Sequence, residues 1–144
     1  MQGARRLARN FAVQFLYQLD VNPDFSDEAV ERFWRAGQAS RRTRDFAMTL
    51  VRRTWEERPR IDAELAEALE GWKLGRLPTV VRSILRLAYC EMLLIGDVPP
   101  VVVIDEAVAL THHFMDEASA KFVNSVLEKC RSRQAEAPEQ HAAP

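Results

Sequence analysis

Arg5, Arg6 and Arg9 stand within five residues of one another near the start of the chain, and no acidic residue precedes Asp20. A guanidinium fork matches the oxygens of a phosphate, so the chemistry on offer is polyanion binding. The arrangement runs against local electrostatics. A helix N-terminus already carries about half a positive charge, and cations there cost a few tenths of a kcal/mol or more each. Gln14 and Tyr17 follow on the outward side of the same helical segment, with Asn10 and Val13 between them and Arg6. Such a face would hold phosphates at its basic end and a base against Tyr17 or Gln14. A merely solvated basic end has the same residue pattern, and the residues alone leave both readings open.

Other reactive side chains do not assemble into a catalytic or metal-binding pattern. His112 and His113 are adjacent, so on a helix they point about 100° apart, and no third ligand has suitable spacing. Asp105-Glu106 cannot easily flank one bond for the same reason, and helix-start electrostatics explains the pair. Cys90 and Cys130 are separated by 39 residues without a second Cys or His at ligand spacing, which indicates reduced thiols and no zinc site. Phosphate loops, nucleophile elbows and metalloprotease motifs are missing from the sequence, so neither catalysis nor a cofactor is expected. Two further basic groups, Arg41 with Arg42 and Arg44, and Arg52 to Arg60 with Glu56 and Glu57 among them, read as a salt-bridged exposed face. Lys121 and Phe122 lie beside Asn124 near the start of the last helical segment. Phe122 completes an apolar face with Val126, or else is exposed beside Lys121 as a stacking surface.

The elements that must position these residues are helical. The chain has 144 residues, of which 47% are hydrophobic and 28% charged, and that balance supports one domain with a substantial core. Its net charge of −1 gives no overall attraction to polyanions, so any nucleic-acid site must be local. Among the 20 cations, 17 are arginine; phosphate recognition and genomic base composition both account for that bias. No segment has the form of a signal peptide or the length of a membrane span, and a soluble cytoplasmic chain is expected.

Periodicity predicts about seven helices and no strands. The first covers about residues 4–20, with Ala8, Phe11, Ala12, Phe15 and Leu19 facing inward, and with Arg6, Asn10, Val13 and Tyr17 facing outward, flanked by Arg9 and Gln14. Ser26 caps a second helix carrying Phe33 and Trp34 to about Gly37. A third follows Ser40 and ends near Glu57-Arg58-Pro59-Arg60, and a fourth covers about residues 61–72. Pro78 opens the fifth, expected to be the longest and central, which Gly96-Asp97 closes. A sixth covers residues 101–114, and Asp116 caps a seventh to about Cys130. The domain is expected over residues 1–131, with a disordered tail over 132–144, where no periodicity remains.

Four segments, ARRLARNFAVQFLYQLD, RLPTVVRSILRLAYCEML, DVPPVVVIDEAVALTHHF and KFVNSVLEK, together resemble the NusB family of bacterial transcription antitermination factors. The resemblance implies an all-α fold of two packed three-helix bundles and no enzymatic activity. It further implies binding to the boxA element of ribosomal-RNA leader transcripts together with NusE, the small-subunit ribosomal protein S-ten, within the antitermination complex on RNA polymerase. Residue by residue, RNA binding carries over to Arg5, Arg6, Arg9, Gln14 and Tyr17, and to Ser119, Lys121 and Phe122. Two positions depart from the family pattern: Val81 and Ala118 stand where many members have an acid. A helical protein-interaction adaptor, or an accessory of a ribosomal-RNA methyltransferase, is the alternative, and a homodimer is compatible with the same exposed helical faces.

Overall fold

The computed structural model describes residues 2–136. Among the described residues there are seven α-helices and no strand: α1 (Gln2–Val21), α2 (Asp27–Arg35), α3 (Arg41–Glu56), α4 (Arg58–Ala68), α5 (Thr79–Tyr89), α6 (Pro100–Phe114) and α7 (Glu117–Glu136). A single 3-10 turn, Leu74–Arg76, leads into α5, and a π-helical turn, Cys90–Ile95, continues it. None of these helices is long and apolar enough to cross a membrane.

The caps read from sequence form as local hydrogen bonds. The Ser26 and Ser40 hydroxyls each accept a backbone N–H three residues on, from Ala29 and Thr43, both at 3.2 Å. The Asp116 carboxylate accepts the Ser119 N–H at 2.8 Å. Each satisfies one of the donors that a helix start leaves without an intrahelical acceptor. Gly96 closes the π turn at φ 74°, a conformation that costs a glycine little, and its N–H bonds back to the Glu91 carbonyl at 3.0 Å.

The chain packs as two three-helix bundles, α1–α3 and α5–α7, with the remaining helix, α4, set against the second. In the first, α1 lies along α3, while Phe11 and Phe15 of α1 meet Phe33 and Trp34 of α2 at ring separations of 4.6 to 6.4 Å. In the second, α6 and α7 pair along their length against α5, with α4 closing onto α5 and α7. α5 also packs on α1 and is the shared centre. Every residue from Ser83 to Tyr89 is buried, the signature of a helix enclosed on all sides. Its two arginines are paired. Arg82 donates to Asp20 of α1 at 2.8 Å, and Arg86 donates twice to Asp62 of α4, at 2.8 and 2.9 Å.

Several boundaries differ from expectation. α4 begins at Arg58, because Pro59 occupies the first turn, where no N–H is required. It stops at Ala68, ahead of Gly71 at φ 80°, which leaves Trp72 outside the helix. α5 is not the longest helix: it has 11 residues before the π turn, whereas α1 and α7 have 20 each. α7 continues to Glu136, so residues 132–136, expected in a disordered tail, are helical; 137–144 lie outside the described residues. Val13, expected outward, is 1% exposed. Val80 of α5 and Phe114 at the end of α6 share a groove wall with it, so the far side of α1 is covered by the second bundle.

Candidate nucleic-acid interface

The three arginines of α1 have three different environments. Arg5 is exposed, and its guanidinium lies 4.7 Å from the centre of the Phe46 ring. Arg6 donates to both oxygens of Glu106, at 3.1 and 2.8 Å, while its side chain remains 62% exposed. Arg9 is buried, contrary to its expected outward placement. Its Nε and Nη2 donate to Glu91 at 2.8 and 2.6 Å, and its Nη1 lies 3.8 Å from Glu106.

These pairs answer the electrostatic puzzle of the sequence. The acids absent from the first turns of α1 arrive from positions 82 and 100 residues away. Glu106, read from sequence as a helix-start charge, is instead 8% exposed and bridges Arg6 and Arg9. Burial works against the charge of Arg9, but the hydrogen bond and charge of Glu91, with Glu106 adding to them, outweigh it and hold its pKa above the ordinary arginine value. The hydrogen bond from Arg6 overcomes burial and pulls Glu106 below the ordinary carboxylate value. Two guanidiniums, Arg6 and Arg9, face two carboxylates, so the +1 balance of the three arginines and two acids is carried by Arg5, which lies over Phe46. Arg9 joins α1 to the π turn, with its side chain 7% exposed.

Gln14 is exposed and donates to the Asn10 carboxamide at 2.6 Å. Tyr17 is 43% exposed. Both line a groove of about 470 Å³ with Val21, Val80 and Phe114. On α7, Ser119 and Phe122 are half-buried, whereas Lys121 is exposed and 3.5 Å from Glu117. Phe122 meets Trp72 edge to face at 5.7 Å, so it is neither wholly core nor wholly free.

A second groove, of about 320 Å³, is lined by Trp72, Leu77, Pro78, Val81, Ala118, Ser119 and Phe122. Both departures from the family pattern, Val81 and Ala118, therefore fall in one apolar depression. Val80 walls the first groove and Val81 the second. Two neighbours at the start of α5 thus place the α1 and α7 surfaces on either side of a common ridge. Sequence reasoning did not single out Trp72, Val80 or Phe114 for this surface. Trp72 alone carried a signal, as a large aromatic between Gly71 and Lys73 at the expected end of the fourth helix.

Of the remaining candidates, His113 borders this surface, its ring 4.8 Å from that of Phe114. His112 and His113 are exposed at the end of α6, and no cluster of three or more metal-capable side chains occurs among the described residues. Arg53 and Arg60 pair loosely with Glu57, at 3.7 and 3.9 Å, and Arg58 stacks on Trp55 at 3.6 Å, as a salt-bridged outer face would.

The NusB family model matches residues 6–132. The transcription antitermination protein NusB of Anaeromyxobacter dehalogenans is 40% identical over 133 residues, covering 92% of this chain and 93% of that protein. That of Rubrobacter xylanophilus is 43% identical, covering 86% and 87%. Among solved structures, NusB from T. maritima superimposes with a TM-score of 0.77 at 30% identity, over 88% of this chain and 89% of its own. A chain from the crystal structure of the antitermination factors NusB and NusE in complex with double-stranded RNA gives a TM-score of 0.83 at 25% identity, over 92% and 99%. With a family match across nearly the whole described chain and relatives at this identity and coverage, the chain belongs to the NusB family.

Proposed function

We propose that this chain is a transcription antitermination factor that binds boxA-type RNA on α1, together with a NusE-type partner, and joins the antitermination complex on RNA polymerase. The observation that carries the reading is the exposed guanidinium pair, Arg5 and Arg6, at the start of a helix that presents Gln14 and Tyr17 further along. Arg5 and Arg6 supply phosphate affinity; Tyr17 offers a ring face and Gln14 a hydrogen-bonding edge to a base. Arg9 acts through position, fixing the helix that carries them. Ser119, Lys121 and Phe122 extend the surface across the α5 ridge, with Lys121 supplying a further cation.

A homologue of this fold occurs bound to both NusE and RNA, which supports the partner class. The test is fluorescence anisotropy of labelled boxA RNA against a scrambled RNA at two salt concentrations, with and without the cognate NusE. Tighter binding to boxA that NusE strengthens is the expected result. Equal binding to both RNAs in both conditions would sink the reading.

One observation favours a second reading. The groove holding Val81 and Ala118 is apolar, with Trp72 61% exposed at its edge, as a protein-docking surface would be. In that reading the chain is an adaptor that retains a NusE-type partner or its own second copy without RNA. Retention of NusE in a pull-down by protein that binds neither RNA would favour it.

A further inference from the structure

We infer that the start of α3 carries a second phosphate-binding track, on which Arg42, Arg41 and Arg44 continue the contacts of Arg5 with an RNA backbone. The inference rests on the RNA reading above and extends it from α1 onto the helix beside it. From sequence these three arginines are expected to belong to a salt-bridged face. In the fold all three are exposed, and among the described residues none is in an ion pair or donates a side-chain hydrogen bond. Arg53 at the other end of α3, and Arg60 of α4, do reach an acid, Glu57. Asp45 is the acid nearest the three in sequence; it is exposed and pairs with none of them.

Local electrostatics does not account for them. They occupy three of the first four positions of α3, whose first turn holds no acid, so each adds a cation to a helix end that already carries partial positive charge. At α1 the same conflict is resolved by Glu91 and Glu106, which tertiary packing brings in. Among the described residues no acid does this for α3, and its cations stay uncompensated at the surface. The ligand that complements them is a polyanion, and the RNA held at Arg5 is the polyanion beside them.

Phe46 of α3 joins the two basic groups. The Arg5 guanidinium lies 4.7 Å from the centre of its ring, and Arg42 stands four residues before it, on the same face of α3 and about one turn away. Arg5 and Arg42 therefore flank one aromatic side chain from two helices. A guanidinium held over a ring keeps N–H donors at its edge for phosphate oxygens. At about 100° per residue, Arg41 follows Arg42 round the outer side of the helix, and Arg44, three residues after Arg41, lies beyond it. The track thus crosses the first turn of α3 from the Arg5 side outward, and Arg42 is its nearest member to α1.

The experiment is anisotropy over a salt series, with labelled boxA RNA flanked on both sides by oligouridine and a scrambled RNA of the same length. The full chain is compared with a triple variant, Arg41→Gln, Arg42→Gln, Arg44→Gln, and with a control, Arg53→Gln, Arg60→Gln, Arg131→Gln, that removes the same charge elsewhere. The triple variant is expected to flatten the salt slope by about 2, so that the wild type loses about 15–20-fold more affinity than the variant between about 50 and 200 mM salt. Its preference for boxA should be unchanged, because phosphate contacts carry no sequence information, and Arg42→Gln should have the largest single effect. Changing the three to Glu should weaken RNA binding further while the melting midpoint holds or rises, since acids suit a helix start; that separates the ligand role from folding. A triple variant with the wild-type slope, or one no flatter than the control, would overturn the track and leave the RNA reading intact. So would loss of NusE affinity with the RNA slope unchanged, which would make the patch a protein surface. A wild-type chain that binds neither RNA would overturn both.

Discussion

Replacing Arg9 by Ala should cripple the fold before it reveals anything about RNA. The Arg9 side chain is 7% exposed and that of Glu91 is 3% exposed, and they share two hydrogen bonds of 2.8 and 2.6 Å. Removing the cation leaves a carboxylate buried with its hydrogen bonds broken. Breaking one side of such a pair costs about 3–5 kcal/mol, against a total stability of about 5–15 kcal/mol for a domain. At roughly 3 °C per kcal/mol for a chain of this size, the midpoint should fall by about 10–15 °C. Urea and thermal unfolding followed by far-ultraviolet circular dichroism would measure it. The paired change Arg9→Met, Glu91→Leu replaces both charges by apolar groups and should recover most of the loss, since a buried ion pair is itself of little net benefit. If Arg9 is a positioning residue, that double variant also keeps its RNA affinity. A loss below about 1 kcal/mol in Arg9→Ala, or RNA binding abolished in a fully stable double variant, would refute the structural role and return Arg9 to the phosphate contacts.

Glu106→Gln removes the negative charge that Arg6 faces, and Gln can still accept one hydrogen bond. RNA binding should tighten and its salt slope steepen by about 0.7, the share of one phosphate on a single strand; unchanged affinity would show that Arg6 does not reach the RNA. Arg5→Ala with Arg6→Ala should weaken binding to boxA and scrambled RNA alike and flatten the slope by about 1.4, with helical content intact. Burial pushes the Cys130 thiol from its ordinary value of 9.0 up to about 11, with Glu64 contributing. The thiol proton is thus held more tightly in the fold than in the unfolded chain. The corresponding stability is complete below pH 9 and is lost as pH rises from about 9 to 11, by up to about 3 kcal/mol. Urea midpoints across that range should show the decline, and a Cys130→Ala background should flatten it. Slow thiol labelling in buffer and fast labelling in urea would report the same burial of Cys90 and Cys130.

What could be read locally was legible. Ser26, Ser40 and Asp116 cap helices because each cap joins residues three apart, and the spacing of Ala8, Ala12, Phe15 and Leu19 places one face of α1 in the core whatever the partner. The family's motif segments carry the fold for the same reason, since they contain the helix starts and the inward faces. Boundaries slipped where a local rule had two outcomes. Pro59 is as acceptable inside a first turn as after a helix end, and Lys129, which reaches Glu70 on the segment after α4, lies on a helix that continues past Cys130.

The site was legible in residue type and not in role. Arg5, Arg6 and Arg9 have the same chemistry in sequence, and a helical wheel separates them by direction only. Which of them meets solvent depends on Glu91 and Glu106, carried by a π turn and a sixth helix that reach α1 only after the two bundles close. The same closure covers Val13, exposes Trp72 and gathers Val81 with Ala118 into one groove. By itself the sequence determined the helices, their caps, their apolar faces and the family, because those rest on hydrogen bonds and periodicity within a few residues. Only the tertiary structure decided which arginine is buried and which reach the surface, because that depends on a buried carboxylate 82 residues away, where desolvation makes the pair obligatory.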